Sequence, residues 1–515
     1  MRVPLTIADH LERAALVYPD RVGVVDEPDQ PAPSWGEVSY RRVAELARAQ
    51  AAGLDALGIG RGERVAIVSH NGARLLTSFF GVSAWGRVLV PINFRLNADE
   101  VAYIVEHSGA SVLLVDPEVD EALATIHCKH RFVLGADTDA ELWPTDAPEP
   151  APWDDPDEDA TATINYTSGT TARPKGVQLT HRNLWLNAAV FGWQAGVGDR
   201  DVYLHTLPMF HCNGWGMPFA LAGMGATQVV LRKVDGTEIL RRVDRHGVTL
   251  LCGAPAVVAA ILDAAERWDG PVPGRDRVRM VVAGAPPPTR TIERMETELG
   301  WEFIQIYGLT ETSPLLTMNR RRAEWDDLSP ADRASRLVRA GAPALGVQLQ
   351  ESEAGEVLAR SNVVLDGYWN QPEATADALE DGWFHTGDGG TLDDGDGTYL
   401  TISDRKKDVI ISGGENVSSI EVEDALHSHP AVAEVAVIGV PDDKWGETVK
   451  ALVVLAEGQA ADEAALIAHC RERLAHFKCP TSVELRDTLP VTATGKLQKF
   501  KLRSPYWEGR ERQVS

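Results

Sequence analysis

Strand-like and helix-like segments alternate through the first third of the chain, and this alternation constrains the fold more than any other feature. The short apolar runs Arg64–Ser69, Val88–Ile92 and Ser111–Val115 are typical of buried strands, and helical patterns separate them. One helical pattern begins after Ser39, a residue type that caps helix N-termini. Because parallel strands need a crossover connection, the alternation predicts βαβ units and a largely parallel sheet.

Polar loops that contain glycine follow several of the predicted strands. The strand Thr161–Tyr166 precedes the loop Thr167–Gly176, and the strands Met280–Ala283 and Phe303–Tyr307 precede shorter loops of the same kind. Loops at the carboxyl ends of parallel strands are where α/β sheets bind their ligands. These loops are therefore the first candidates for a binding site.

A change of composition divides the chain into two predicted domains. The stretch Asp393–Gly397 is rich in Asp and Gly, and the residues beyond it have strand and helix patterns of their own. We predict a large N-terminal domain over 1–403 and a smaller domain over 404–515. The predicted fold class is α/β, with βαβ-type layered sheets in the large domain and a mobile α+β C-terminal domain.

The charge balance and the cysteines exclude several classes of protein. The chain has 50 Lys and Arg against 75 Asp and Glu, a net charge of −25, which argues against a general nucleic-acid binder. The 5 cysteines are widely spaced, which indicates reduced thiols. No apolar run is long enough to span a membrane and no signal-peptide core is present, so we expect a cytoplasmic protein. The group His127–His130 resembles a metal site, but an exposed polar stretch is the simpler interpretation.

The loop Thr167–Gly176 has the residue types that bind phosphate. Glycines let backbone N–H groups surround an anion, hydroxyls donate to phosphate oxygens, and Lys175 adds a positive charge. The segment is not a Walker A loop, because Pro174 precedes the lysine and the required glycine spacing is absent. A surface turn rich in Thr, Ser and Gly is the alternative interpretation.

The segment Tyr166–Gly176 resembles the phosphate-binding loop of the adenylate-forming superfamily, which includes the acyl-CoA synthetases. Other signatures of that family follow in the same order. They are Tyr307-Gly-Leu-Thr-Glu311, Trp383-Phe-His-Thr-Gly-Asp388, Asp404-Arg-Lys-Lys-Asp408 with Ser412-Gly-Gly-Glu-Asn416, and Pro490-Val-Thr-Ala-Thr-Gly-Lys496. One departure is Ala172, where the family loop usually has glycine. Alanine would strain a left-handed backbone there by about 1 kcal/mol.

The resemblance implies a role for each matching residue. The residues implied to bind ATP are Thr167, Ser168, Gly169, Thr170, Thr171, Lys175, Gly284, Ala285, Tyr307, Asp388 and Arg405. Tyr307 would lie against adenine, Asp388 would accept hydrogen bonds from the ribose, and Thr310 would contact the α-phosphate. Glu311 would hold Mg²⁺, a hard cation that takes few carboxylates plus phosphate oxygens.

The C-terminal motifs imply a moving domain. Lys496 would stabilise the charge that develops as the acid attacks the α-phosphate, so the small domain must close to deliver it. Lys407 would be the hinge about which that domain rotates. Gly413 and Gly414 would then face the channel of the incoming thiol. A solvated basic tail is the alternative interpretation of Lys496.

The segment Met209–Gly216 resembles the mouth of the family's acyl pocket. The residues implied to line that pocket are His211, Asn213, Gly214, Trp215 and Met217. His211 is either a moving gate or a hydrogen-bonded wall residue. Trp215 and Met217 suit an apolar slot, although ordinary core packing would also explain them.

The predicted function is acyl-CoA synthesis with ATP, Mg²⁺ and coenzyme A. A carboxylic acid would first form acyl-AMP and pyrophosphate, and coenzyme A would then displace AMP to give acyl-CoA. The acid is predicted to be an apolar monocarboxylic acid. The alternatives are an acyl-AMP ligase that loads a carrier-protein thiol, an enzyme for a bulky natural-product acid, and a non-adenylating module that binds acyl-AMP or coenzyme A. A homodimer is one alternative for the assembly.

Overall fold

The structure of the protein is a computed structural model. It describes residues 1–167, 173–285, 287–393, 395, 397–405, 408–412, 415–442, 445–491 and 497–508, with the main chain alone at 404, 405 and 416. The α-helices are Ala8–Val17, Tyr40–Ala56, Ala73–Gly81, Ala98–Ser108, Ala136–Leu142, His181–Ala195, Met217–Met224, Gly236–His246, Pro255–Glu266, Thr289–Arg294, Pro330–Leu337, Pro372–Ala378, Ser419–His427, Glu463–Arg471 and Lys499–Arg503.

The first sheet contains the strands that the sequence pattern predicts. Its order from edge to edge is Gly367–Tyr368, Lys175–Thr180, Thr161–Thr167, Val88–Ile92, Arg64–Val68, Ala110–Val115 and His130–Val133. The pairs from Thr161–Thr167 to His130–Val133 are parallel, whereas Lys175–Thr180 runs antiparallel to its neighbours. The predicted βαβ organisation is therefore confirmed.

A second sheet lies on the other side of a layer of helices. Its order is Ala342–Pro343, Thr317–Arg320, Glu302–Tyr307, Arg279–Val282, Leu250–Gly253, Val202–His205, Thr227–Val230, Val22–Val25 and Glu37–Ser39. The strands from Glu302–Tyr307 to Val22–Val25 are parallel. Their carboxyl ends therefore lie on one edge, where the predicted binding loops follow.

The core between these two sheets is built from large apolar side chains. Phe219 lies with its ring edge-on to Phe79 and Phe80, with both centroid distances at 5.6 Å, and all three rings are fully buried. The same apolar cluster includes Val65 and Val177 of the first sheet and Val230 of the second. One continuous core therefore fixes the two sheets relative to each other.

Two smaller sheets complete the fold. One has the order Val347–Glu351, Glu356–Ser361, Phe384–Asp393 and Tyr399–Arg405. The other, which we call the C-terminal sheet, has the order Glu415–Val417, Ile410–Ser412, Gly446–Leu455 and Val432–Asp442, and Ser482–Leu485 pairs in parallel with Gly446–Leu455. This mixed sheet and its helices have a separate apolar core. The fold class is confirmed as α/β with a smaller C-terminal part, whereas the boundary at 403/404 stays a prediction and falls within Tyr399–Arg405.

One local signal predicted the start of a helix correctly, whereas another placed the end of a predicted loop too far along the chain. Ser39 caps the helix Tyr40–Ala56 by accepting a hydrogen bond from the Arg42 N–H at 3.3 Å, as its residue type indicates. The predicted loop Thr167–Gly176 is shorter than expected, because Lys175 already pairs with Thr167 in a strand. The alternation of Val177 and Leu179, both fully buried, extends that strand. Among the helices in the described ranges, none has the length and apolarity that crossing a membrane requires.

A side chain from the C-terminal part caps a helix of the N-terminal part. The helix Thr289–Arg294 receives no side-chain cap from its own N-cap residue, Pro288. Instead, Asp424 on the helix Ser419–His427 accepts hydrogen bonds from the Thr289 backbone N–H at 3.0 Å and from its hydroxyl at 3.2 Å. This contact joins the two parts of the chain at a helix N-terminus, where a negative charge is favourable.

Asp424→Ala should loosen the first turn of the helix Thr289–Arg294. A lost cap costs about 1 kcal/mol, so hydrogen exchange of its first amides should become about fivefold faster. The matched control is Asp462→Ala, which removes the cap of Glu463–Arg471 and should leave Thr289–Arg294 unchanged. Unaltered exchange at Thr289–Arg294 in Asp424→Ala would contradict the role of this contact.

Candidate active site

Tyr307 and Asp388 are joined by a hydrogen bond at the edge of the second sheet. Tyr307 ends the strand Glu302–Tyr307, and its hydroxyl donates to Asp388 Oδ2 at 2.9 Å. Asp388 is buried, and its backbone N–H donates to the Thr386 hydroxyl at 3.2 Å. Its strand partner is Arg405. The structure thus brings together three positions that the sequence assigned to the nucleotide.

The loop after Tyr307 holds Glu311 beside the first sheet. A Cβ on Gly308 would lie 1.5 Å from the carbonyl oxygen of Pro314, so only glycine fits at this point of the loop. Thr310 is buried, and Glu311 Oε1 accepts a hydrogen bond from the Tyr368 hydroxyl at 3.0 Å. Tyr368 comes from the edge strand of the first sheet. The loop of one sheet therefore contacts the edge of the other.

Lys175 lies against the ring of the same tyrosine. Its Nζ is 4.7 Å from the centroid of the Tyr368 ring, within the range of a cation–π interaction. Lys175 begins the strand that pairs with Thr161–Thr167, and Thr167 is its partner. The predicted residues Ser168, Gly169, Thr170 and Thr171, and also Ala172, lie outside the described residues. The effect of alanine in this loop therefore stays a prediction.

The chemistry around Glu311 fits Mg²⁺. Magnesium prefers oxygen ligands and is usually held by one or two carboxylates together with substrate phosphates. Glu311 supplies such a carboxylate: it is half-buried, and Tyr368, which donates a hydrogen bond to it, also contacts Lys175. Within the part of the chain that the structure describes, no group of three or more His, Cys, Asp or Glu side chains forms a metal site, and this includes His127–His130.

The predicted acyl-pocket segment forms a left-handed turn. Cys212, Asn213 and Trp215 have φ angles of 47°, 53° and 60°, and Gly214 between them has 59°. Residues with a side chain lose roughly 1–2 kcal/mol each in this conformation. Strain of this size persists only where surrounding contacts determine the backbone.

The contacts that hold this turn come from Asn213. Its Nδ2 donates to the Thr163 hydroxyl at 2.9 Å, and its Oδ1 accepts from Asn165 Nδ2 at 3.0 Å. All three side chains are buried, so each hydrogen bond would be costly to lose. The sequence predicts Asn213 at the acyl pocket, and in the structure its amide is hydrogen-bonded to the strand Thr161–Thr167, which precedes the predicted phosphate loop.

Trp215, Met217 and Cys212 are buried in one apolar cluster at this turn. The side chain of Asn187 donates to the Trp215 carbonyl oxygen at 3.2 Å, which fixes the end of the turn. Burial, with Glu311 nearby, raises the pKa of the Cys212 thiol, so it stays neutral. His211 lies half-buried immediately before the turn. The turn therefore lies next to the loop of Thr310 and Glu311.

Gly284 and Ala285 follow the strand Arg279–Val282, which is the parallel neighbour of Glu302–Tyr307. Gly284 has a φ of 96°, a conformation that favours glycine. These two residues thus lie at the same sheet edge as Tyr307. Lys407, Gly413, Gly414 and Lys496 lie outside the described residues, and the side chain of Arg405 does too.

Sequence reasoning missed Tyr368, Thr163 and Asn165. Tyr368 lies in the segment Gly367-Tyr-Trp369, whose adjacent aromatic residues before a polar turn were a usable signal. Thr163 and Asn165 are polar residues inside an otherwise apolar strand, which indicates buried hydrogen bonds. Their partner Asn213 is distant in sequence, so the pairing was visible only after folding.

Comparison with known proteins identifies the family. The family model described as "AMP-binding enzyme" matches residues 11–369, and the model described as "AMP-binding enzyme C-terminal domain" matches residues 421–496. The chain belongs to the AMP-binding enzyme family. As such it is an acid–thiol ligase, which activates a carboxylic acid with ATP and Mg²⁺ and transfers the acyl group to coenzyme A.

This AMP-binding enzyme has relatives that are named CoA ligases. It is 38% identical to 4-hydroxybutyrate–CoA ligase 2 of Metallosphaera sedula, over 96% of this chain and 93% of the relative. It is 37% identical to 2-methylpropanoate–CoA ligase CCL4 of Humulus lupulus, over 97% of this chain and 95% of the relative. It is 35% identical to the peroxisomal acetate/butyrate–CoA ligase AAE7 of Arabidopsis thaliana, over 96% and 93%.

Solved structures of similar proteins extend over nearly the whole chain. The anthranilate CoA ligase AuaEII in complex with anthranoyl-AMP has a TM-score of 0.87 and 28% identity, over 98% of this chain and 99% of that one. The o-succinylbenzoate CoA synthetase MenE of Bacillus subtilis in complex with ATP and magnesium has a TM-score of 0.81 and 28% identity, over 96% and 99%. The family's expected fold is thereby confirmed.

Tyr307→Phe should weaken ATP binding without removing the aromatic ring. The variant loses the hydrogen bond to Asp388, and a bond to a charged group is worth about 1.5 kcal/mol or more, so the KM for ATP should rise about tenfold. Pyrophosphate release measured against ATP concentration gives this value. Asp388→Ala should have a larger effect, because it removes the carboxylate itself. An unchanged KM for ATP in Tyr307→Phe would contradict this role.

Proposed function

We propose that the protein converts a short, apolar monocarboxylic acid to its acyl-CoA, with acyl-AMP as the intermediate. The observation that carries this proposal is that Glu311, Lys175 and the Tyr307–Asp388 pair meet where the loop after Tyr307 contacts the edge of the first sheet. A carboxylate, an ammonium group and a ribose acceptor at one place fit magnesium ATP.

Each of the predicted nucleotide-binding residues has a proposed role in holding ATP. Lys175, Thr167 and the loop residues Ser168, Gly169, Thr170 and Thr171 bind the β- and γ-phosphates. Thr310 contacts the α-phosphate, Tyr307 lies against adenine with Gly284 and Ala285 beside it, and Asp388 and Arg405 bind the ribose. Mg²⁺ held at Glu311 neutralises phosphate charge when it is bound.

Lys496 is the proposed catalyst of the first half reaction. The acid's carboxylate oxygen forms a bond to the α-phosphorus, and the bond to pyrophosphate breaks. Negative charge accumulates at this junction, and the ammonium group of Lys496 stabilises it. Because Lys496 belongs to the C-terminal part, we propose a mobile domain over 404–515 that delivers the lysine, with Lys407 as its hinge.

The second half reaction transfers the acyl group to the thiol of coenzyme A. The sulfur attacks the acyl carbon, and AMP leaves. Gly413 and Gly414 would allow the pantetheine arm to approach the backbone closely. The CoA-ligase names of the relatives favour coenzyme A over a carrier protein as the acceptor. Their names also favour a catalytic protein over a module that only binds acyl-AMP.

The acid is proposed to be short because Trp215 and Met217 fill the space at the left-handed turn. Both are buried, and Trp215 is fixed by its backbone contact with Asn187. Relatives named for acetate, butyrate, 2-methylpropanoate and 4-hydroxybutyrate support a short acid over a bulky natural-product acid. His211 serves as a gate or a wall at the carboxylate end, and Asn213 and Gly214 shape the turn.

The assembly and the location are part of the same proposal. We propose a cytoplasmic protein, although some relatives are named as peroxisomal. A homodimer is the proposed assembly, and size-exclusion chromatography with light scattering tests it.

Lys496→Ala should abolish acyl-AMP formation and spare the second half reaction. Loss of one charge-stabilising donor should slow acid-dependent pyrophosphate release by at least about 10²–10³-fold. Thioester formation from supplied acyl-AMP and coenzyme A should continue at the wild-type rate. The control is Lys501→Ala, which removes an exposed lysine nearby. A Lys496→Ala variant that adenylates normally would refute the assignment.

Trp215→Gly should shift the preference from short acids to longer or aromatic ones. Glycine tolerates the left-handed backbone at this position, so the turn is kept while the indole is removed. The ratio of kcat/KM for benzoate to that for acetate should rise about tenfold or more, since one methylene in a pocket already changes such ratios tenfold. Trp193→Ala, which removes an exposed indole, is the control. An unchanged ratio would argue that Trp215 is only a core residue.

A further inference from the structure

Tyr368 contacts both groups that the proposed function assigns to magnesium and phosphate. Its hydroxyl donates to Glu311 Oε1 at 3.0 Å, and the Lys175 ammonium lies 4.7 Å from its ring centroid. We infer that Tyr368 is a positioning residue that orients Glu311 for the metal ion and holds Lys175 for the phosphates. This inference rests on the proposed function and adds a residue to its machinery.

The backbone around Tyr368 is hydrogen-bonded both to the loop that contains Glu311 and to the strand that begins at Lys175. The Leu365 N–H donates to the Glu311 carbonyl oxygen at 2.7 Å, and the Trp369 N–H donates to the Gly176 carbonyl oxygen at 2.7 Å. Between these two points, Tyr368 pairs with Val177 of the lysine strand. The segment Leu365–Trp369 therefore connects the loop that contains Glu311 to the strand Lys175–Thr180. A change of the Tyr368 side chain leaves this connection intact.

The hydroxyl of Tyr368 is a permanent hydrogen-bond donor. A phenol is protonated at neutral pH, so its O–H is available to donate to the Glu311 carboxylate. A carboxylate with one oxygen held by a neutral donor has a restricted rotation. Its remaining lone pairs then point in a fixed direction, as binding a metal ion with strict geometry requires.

The ring of Tyr368 keeps two opposite charges apart. In the described residues, Lys175 and Glu311 form no ion pair with each other, and the aromatic ring contacts the ammonium instead. A cation–π contact holds Lys175 without neutralising it, whereas a carboxylate partner would compete with phosphate. Removal of the ring would let Lys175 approach Glu311, and each group would then be less available to magnesium ATP.

Two substitutions separate the hydroxyl from the ring. Tyr368→Phe removes the bond to Glu311 and keeps the contact with Lys175, and Tyr368→Leu removes both. The control, Tyr506→Phe, breaks a tyrosine–glutamate bond of the same kind, from Tyr506 to Glu484 Oε2 at 2.6 Å on the C-terminal sheet. Pyrophosphate release is measured with Mg²⁺ varied at fixed ATP, with ATP varied at saturating Mg²⁺, and with the acid varied.

For Tyr368→Phe we expect the Mg²⁺ concentration at half-maximal rate to rise about tenfold, as for a lost bond to a charged group. The KM for the acid, thioester formation from supplied acyl-AMP, and the melting temperature without ligand should stay at wild-type values. Tyr368→Leu should also raise the KM for ATP at saturating Mg²⁺ by about threefold or more. Tyr506→Phe should match the wild type in its Mg²⁺ dependence.

An unchanged Mg²⁺ dependence in Tyr368→Phe, in an active protein, would overturn the inference and leave the proposed function intact. A lower melting temperature together with equal increases in the KM for ATP, the Mg²⁺ concentration at half-maximal rate and the KM for the acid would also overturn the inference. That result would indicate a structural role for Tyr368. Wild-type protein that releases no pyrophosphate with any short acid would instead overturn the proposed function itself.

Discussion

A buried set of amide and hydroxyl hydrogen bonds is the constraint on which the site depends. Asn213 follows a strand of the second sheet, and Thr163 and Asn165 belong to the first sheet. An unmade hydrogen bond in such a buried place costs about 1–3 kcal/mol. These side chains therefore favour one position of the turn at Cys212–Trp215 relative to the first sheet, beside the strand Thr161–Thr167.

The same contacts stabilise an unfavourable backbone. Three residues with side chains take left-handed angles between His211 and Gly216. Asn213 holds the middle of that run through its own side chain, and Asn187 holds its end at Trp215. The conformation directs the chain back on itself within a few residues. It places Cys212 beside the loop of Thr310 and Glu311, and it buries Trp215 in the adjacent core. Backbone strain is thus concentrated where the acid is proposed to bind.

Much of the fold was predictable because its signals are local. Short apolar runs predicted the strands Arg64–Val68 and Val88–Ile92 to within one residue, and Ser39 marked the start of its helix. The site residues Tyr307 and Glu311 were found through a motif, and Gly308 is glycine for a reason that the Pro314 carbonyl explains. Lys175 was misplaced in a loop, because pairing with Thr167 depends on a neighbouring strand rather than on its own sequence.

The α/β class, the family motifs and the residues proposed to bind phosphate, magnesium and ribose can all be read from the sequence, because each depends on residue type and short-range spacing. The contact of Asn213 with the first sheet and the contacts of Tyr368 with Glu311 and Lys175 became visible only in the folded chain. The same holds for Asp424, which caps a helix of the other part of the chain. The physical reason is that these contacts join residues more than 40 positions apart, and nothing in a local pattern specifies which distant partner a buried polar group will meet.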